Sequence, residues 1–178
     1  MDFSLGAIWA QTIDGVVGDG KDMPWHIPAD LRFFQEQTLG HDVLMGASTW
    51  HSLPPAYRPL PRRKNFVLSS DLAGQWSEGA QVCSNLDAAL DAMSRPAWII
   101  GGGKTYAACL DKVDYVVRTL INVELADQLP HAVFAPQLGD DFKLVTETAW
   151  QEVPGEIHTS IVRTTDTVEM KVQHFRRH

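Results

Sequence analysis

Cysteine is scarce in this 178-residue chain: Cys83 and Cys109 are the only two. With no C-x-x-C or paired Cys/His spacing they fit neither a disulfide framework nor a zinc site, so a reducing, cytoplasmic setting is expected. No apolar run approaches ~18 residues and no basic leader precedes the apolar segment after Met1-Asp2-Phe3-Ser4-Leu5, so neither a membrane span nor a secretory signal is expected. Basic residues are the minority, 15 Lys and Arg against 22 Asp and Glu for a net charge of −7. That balance disfavours nucleic acid and anionic lipid as partners. The seven histidines show no H-E-x-x-H pattern, and His174 and His178 lie at a terminus more prone to fray than to bind metal, so no metal is assigned. Repeats, low-complexity tracts and Pro, Gly or Ser-rich linkers are also missing. One domain over residues 1–178 is therefore expected, and a monomer, since no unusually apolar surface helix stands out.

What is present is a recurring strand-then-helix pattern. Phe3 to Ala10, Val43 to Met45, Phe66 to Leu68 and Trp98 to Ile100 are short apolar runs that read as buried strands. Pro28 to Thr38, Ser48 to Leu53, Leu86 to Met93 opened by Asn85, and Lys104 to Leu110 read as helices between them. Alternation of this kind predicts an α/β fold on a largely parallel sheet. Beyond residue 110 the character changes: Val113 to Val123, Phe142 to Trp150, His158 to Thr164 and Val168 to Phe175 are strand-like without convincing helices, which predicts an antiparallel end to the sheet. The four-proline stretch from Leu53 to Lys64 reads as a stiff surface loop.

Two strand-to-helix junctions stand out. Ile100-Gly101-Gly102-Gly103-Lys104-Thr105-Tyr106 places three glycines where backbone can approach a phosphate, although it is not the G-x-G-x-x-G fingerprint and a ligand-free tight turn explains it equally well. Met45-Gly46-Ala47-Ser48-Thr49-Trp50 has the same form with hydroxyls at its opening. Two such turns beside one sheet suggest an extended anionic ligand. Asp30, in a first helical turn, is most simply a solvated partner of the helix dipole. Its neighbours Met23-Pro24-Trp25, Leu31, Phe33 and Phe34 point instead to an apolar cleft, in which a carboxyl has its pKa raised and suits a cationic heterocycle. Gly15 to Gly20 reads as a mobile lid or an ordinary turn. Arg62, Arg63 and Lys64 read as a solvated charge run or as the attraction for a carboxylate-bearing substrate. Both cysteines read as small buried apolar residues.

Taken in order, Ile8-Trp9-Ala10, Gly15-Val16-Val17-Gly18, Met23-Pro24-Trp25, Pro28-Ala29-Asp30-Leu31, Met45-Gly46 with Thr49-Trp50, Arg58-Pro59-Leu60-Pro61, Arg63-Lys64-Asn65 and Ile100-Gly101-Gly102-Gly103 resemble bacterial dihydrofolate reductase over roughly residues 3 to 120. The resemblance implies an eight-stranded, mostly parallel sheet with an antiparallel C-terminal strand and about four helices. It implies reduction of 7,8-dihydrofolate to 5,6,7,8-tetrahydrofolate by NADPH, a step of one-carbon metabolism and a target of antifolate inhibitors. It implies that Asp30 holds the pterin's 2-amino group and N3 and promotes N5 protonation, with Trp25 beside it, Thr119 reaching the 2-amino group through a water, and Tyr106 against the reaction centre.

By the same resemblance, the carbonyls of Ile8 and Ile100 bracket the pterin's 4-position edge. Leu31, Phe34 and Leu53 line the aromatic tail's slot with Leu60 beyond, and Arg63 pairs with the substrate's α-carboxylate. The implied cofactor contacts are Ala10, Val17 and Gly18 at the nicotinamide; Gly46, Ala47, Ser48 and Thr49; Leu68, Ser69 and Ser70; and Ile100, Gly101, Gly102, Gly103, Lys104, Thr105 and Tyr106. A cis peptide is implied at Gly101-Gly102. The chain departs from the family at the 2′-phosphate: many bacterial members have Arg where this chain has Ala47, and some have Arg where it has Ser70. Other readings are the pyrimidine reductase of riboflavin synthesis, which shares the sheet and glycine turn, and a non-catalytic nucleotide-binding module.

Overall fold

The computed structural model describes residues 2–159 and 166–178. In chain order these form β1 (Leu5–Thr12), β2 (Val16–Gly18), β3 (Trp25–His26), α1 (Pro28–Thr38), β4 (Asp42–Gly46), α2 (Ala47–Ser52), β5 (Asn65–Leu68), β6 (Ala80–Cys83), α3 (Leu86–Ala92), β7 (Ala97–Gly101), α4 (Gly103–Cys109) and β8 (Tyr115–Ile121). Then follow β9 (Val133–Phe134), β10 (Phe142–Glu147), β11 (Gln151–Pro154), β12 (Glu156–Ile157) and β13 (Thr167–Arg177). They fall into two compact units, the first comprising residues up to Ile8 with Gln37–Tyr115, the second the described residues of Trp9–Glu36 and Val116–His178.

In the first unit β1 pairs with β7, β7 with β4, β4 with β5 and β5 with β6, every pair parallel. Parallel strands need crossovers, and the helices supply them: α4 packs on β7 and β4, α2 on β4 and β5, α3 on β5 and β6. Strands covered in this way carry continuous apolar runs, and Val43, Leu44, Met45, Phe66, Val67, Trp98 and Ile99 are all fully buried. Asn85 caps α3 as expected, its side chain accepting the Ala88 N–H at 2.8 Å. The helices α2 and α4 begin one residue before their expected starts, at Ala47 and Gly103, because Gly46 and Gly102 themselves stand at the cap positions. Within the proline-rich loop Pro55–Tyr57 forms a 3-10 turn.

In the second unit the 11-residue β13 serves two antiparallel partners in succession, β11 along Thr167–Met170 and β10 along Gln173–Arg177. Its other neighbour is β8, which also lies beside β1. Among the described residues the sheet has nine strands rather than the eight implied by the resemblance. The ninth is β11, which continues the edge begun by β10 instead of adding a column: Thr148 still bonds Val172, the strand is interrupted at Ala149 and Trp150, and regular pairing resumes at Gln151. The antiparallel C-terminal end is as expected. Two short ribbons complete the unit, β3 with β12 and β2 with β9. The expected strand His158 to Thr164 lies mostly outside the described residues; His158 itself donates its N–H to the Pro24 carbonyl at 2.7 Å. Among the described residues no helix is long and apolar enough to cross a membrane.

Candidate active site

In the first unit the parallel pairing of β4 and β7 sets Met45 opposite Gly101, so the two glycine junctions seen in the sequence end side by side. Glycine is required there by space. A Cβ on Gly46 would lie 2.8 Å from the Thr105 Oγ1, and one on Gly101 would lie 3.0 Å from the Thr49 Oγ1. Gly101 also has φ +143°, a conformation L side chains rarely adopt. The Gly101-Gly102 peptide is cis, as the resemblance implies. Tyr106 is buried and its hydroxyl donates to the Ile8 carbonyl at 2.7 Å, which ties α4 to β1. Ile100, which immediately precedes Gly101, is partly buried. Of the candidate phosphate contacts, Ser48, Ser70 and Lys104 are exposed. Ser69 is engaged, its N–H donating to the Cys83 carbonyl and its hydroxyl accepting from the Asp71 N–H at 3.0 Å. Leu68 is half-buried and Ala47 leaves its position without a cation.

Arg63 belongs to the same unit and is not a solvated charge. Its Nη1 donates to the Thr38 hydroxyl at 2.9 Å and its Nε to the Pro61 carbonyl at 3.0 Å. Burial, and then the neighbouring Arg62, pull its pKa down. Arg62 itself is exposed at φ 57°. The sequence reading did not single out Thr38, a fully buried hydroxyl at the end of an otherwise amphipathic helix. Leu60 is buried, its N–H held by the Asn65 side chain at 2.9 Å, while Leu53 is half-buried.

In the second unit Asp30 stands in the first turn of α1, its backbone N–H donating to the Ile27 carbonyl at 3.0 Å. Its Oδ1 accepts the Thr119 hydroxyl directly at 2.8 Å. Desolvation raises the Asp30 pKa and the Thr119 hydrogen bond only partly offsets it. The solvated-carboxylate explanation therefore fails for this residue. Trp25 is buried, and β12 fixes it by pairing Ile157 with Trp25 and Glu156 with His26. Around Asp30 the apolar shell is uneven: Phe33 and Phe34 are half-buried, but Leu31 is 44% exposed.

The glycine-rich segment after β1 is tethered. Val16 pairs with Phe134 and Gly18 with Val133, which places Val17 and Gly18 on a short ribbon, and Ala10 is half-buried on β1. Asp14 anchors the turn by accepting the Thr12 hydroxyl and the backbone N–H groups of Leu125 and Ala126. Those hydrogen bonds outweigh burial and lower its pKa. Asp14 was not anticipated as an anchor, though the Asp14-Gly15 pair is a turn signal. Both cysteines are free and buried, and burial pushes the Cys109 thiol up to about 11. Among the described residues no group of side chains is arranged to hold a metal ion.

Comparison with known proteins agrees with this geometry. Residues 4–165 match the family model for dihydrofolate reductase. The dihydrofolate reductase of Mycobacterium tuberculosis is 41% identical over 152 residues, covering 85% of this chain and 87% of that protein. That of Mycobacterium leprae is 38% identical over 144 residues, covering 80% and 86%. A solved dihydrofolate reductase from Enterococcus faecalis, complexed with NADP(H) and RAB-propyl, superposes with a TM-score of 0.74 at 28% identity over 97% of this chain and 95% of that one. Fold and matches together define an oxidoreductase. The chain belongs to the dihydrofolate reductase family.

Proposed function

We propose that this chain reduces 7,8-dihydrofolate to 5,6,7,8-tetrahydrofolate with NADPH. The observation that carries the reading is Asp30: a carboxyl with raised pKa, hydrogen-bonded by the Thr119 hydroxyl, in the helix that opens shortly after the buried Trp25. Such a group binds an amino-heterocycle by accepting from its 2-amino and N3 hydrogens, and its charge favours protonation at N5 with water as the carrier. The Thr119 hydroxyl donates to the Asp30 carboxylate directly, and it would reach the substrate's 2-amino group through a water.

Bound NADPH would supply the hydride that the reduction of dihydrofolate requires, from nicotinamide C4 to pterin C6. Support for its site is the pair of glycine junctions whose approach any Cβ would fill, with the Thr49 and Thr105 hydroxyls beside them. The main-chain groups of Ala10, Val17 and Gly18 serve the nicotinamide, and the Tyr106 hydroxyl holds the Ile8 carbonyl in place for the pterin edge. Ser48, Ser69, Ser70 and Lys104 serve the 2′-phosphate in place of arginines. A charge-assisted hydrogen bond contributes ~1.5–3 kcal/mol, so the preference over NADH should survive but be weaker, by roughly tenfold to more than a hundredfold, than with an arginine at position 47. Loss of NADPH absorbance with dihydrofolate, run beside NADH, tests both points. No turnover with either cofactor sinks the function, and kcat/KM for NADH at or above that for NADPH sinks the cofactor preference.

Arg63 takes the substrate's α-carboxylate, oriented by Thr38 and the Pro61 carbonyl. Arg63→Leu should raise KM for dihydrofolate by on the order of tenfold or more with little change in kcat, since the contact is remote from the transferring hydride. A large kcat loss at unchanged KM would contradict this role.

A further inference from the structure

We propose that the second unit carries a separate pocket for a small aromatic carboxylate, floored by Arg118 and Gln11 and rimmed by Ile13 and Phe134. The pocket encloses about 370 Å³, within the ~300–1,000 Å³ usual for small-molecule sites. Successive residues of a strand face opposite sides, so Arg118 on β8 is turned away from Thr119 and its partner Asp30. The pocket is thus not the Asp30 site.

Arg118 gives the pocket its cation, and Asp14, also in the lining, is its carboxylate. It is half-buried, and its Nε and Nη2 both donate to one neutral acceptor, the Gln173 Oε1, at 2.9 and 2.7 Å. Its guanidinium lies 4.8 Å from the Phe175 ring centre. Among the described residues it forms no ion pair within 4 Å. Guanidinium groups taken out of water normally have an anion beside them. The nearby carboxylates are already committed: Asp14 to Thr12, Leu125 and Ala126, and Glu147 to Lys171 and Gln173. Glu147 already acts on Arg118 electrostatically without an ion pair, so an incoming carboxylate would be the first to pair with it in contact.

Above this polar floor the rim is apolar and open, with Ile13 43% and Phe134 51% exposed. Large apolar side chains uncovered around a pocket favour a ligand with a flat apolar body. Charge below and apolar rim above define an aromatic monocarboxylate. The site also touches the tether described above, since the Ala135 N–H donates to the Gly15 carbonyl at 2.9 Å and Phe134 pairs with Val16. An occupant braces the ribbon that carries Val17 and Gly18, so it should lower kcat without competing with dihydrofolate. That kinetic consequence rests on the proposed function; the binding does not.

The test is isothermal titration with 2-naphthoate, with neutral 2-naphthamide as the charge control. Saturable one-site binding is expected, weakened by about tenfold or more in Arg118→Gln, in Phe134→Ser and for the amide, and unchanged in Arg63→Leu. Phe134 is exposed, so its variant keeps the fold even if Arg118→Gln does not, and unfolding midpoints distinguish the two cases. Absence of saturable binding at millimolar ligand overturns the proposal. So does equal binding of acid and amide, or loss in Arg63→Leu with retention in Arg118→Gln and Phe134→Ser, which would put the ligand in the substrate site. Turnover plays no part in these outcomes, so failure of the reductase reading would leave them intact.

Discussion

Asp30→Asn should lower kcat by roughly 10² or more near neutral pH and, in the same protein, raise its stability there. The two effects have one source. Burial raises the Asp30 pKa above its ordinary 3.8, so the folded state binds this proton more tightly than the unfolded chain does. The stability linked to that proton is fully present below pH 3.8 and is lost as pH rises through the folded-state pKa. As pH rises, the desolvation of this carboxyl therefore counts increasingly against the folded state. Asparagine keeps the shape and can still accept the Thr119 hydroxyl, but has no charge to hold a cationic heterocycle. Thermal unfolding across pH should show the variant ahead of the parent near neutrality, with the gain gone below pH 3.8. Unchanged turnover would remove Asp30 from the mechanism; parallel pH curves would mean that the carboxyl does not carry the strain.

The largest purely structural loss is expected at Trp98. Its side chain is fully buried on β7, with ring centres 4.6 Å from Phe3 and 6.4 Å from Tyr115. The space it occupies exists because its neighbour on β1 is Gly6, where a Cβ would come within 2.6 Å of the indole. Trp98→Ala should cost ~3–5 kcal/mol, a large share of the ~5–15 kcal/mol that holds a typical domain folded. Gly6→Ala should cost ~1–3 kcal/mol by overpacking, and much less beside Trp98→Leu. Urea unfolding of the two single variants and the double variant gives the coupling directly. Additive losses would mean that glycine stands at position 6 for some reason other than the indole.

The parts of this molecule that were legible in its sequence are those governed by local rules. Buried parallel strands announce themselves as continuous apolar runs, as in Val43 to Met45 and Trp98 to Ile100, and Asn85 and Pro28 mark helix starts by their own chemistry. Asp30 drew attention because Phe33, Phe34 and a Met-Pro-Trp segment flank it in sequence. What stayed hidden depends on partners distant in sequence. Ala80–Cys83 has little strand character of its own and pairs because β5 offers it an edge. Trp25–His26 and Val16–Gly18 are too short for periodicity, and each becomes a strand only through residues more than a hundred positions away. Thr38 and Thr12 look like ordinary polar residues until the groups they hold, Arg63 and Asp14, are seen beside them. The missing cations at Ala47 and Ser70 were visible only against the family pattern.

The double duty of Thr167–Arg177 bears on how the chain leaves the ribosome. Phe142–Glu147 and Gln151–Pro154 both emerge before the strand that each must pair with. At ~5–20 residues per second, the gap of about 20 residues is a wait on the order of 1–5 s. Through that interval two nascent segments carrying Phe142, Leu144, Val145 and Val153 have open backbone and no partner, long beyond the microseconds a hairpin needs to close. That wait is still short beside those of Val16–Gly18 and Trp25–His26, whose partners lie more than a hundred positions further along the chain.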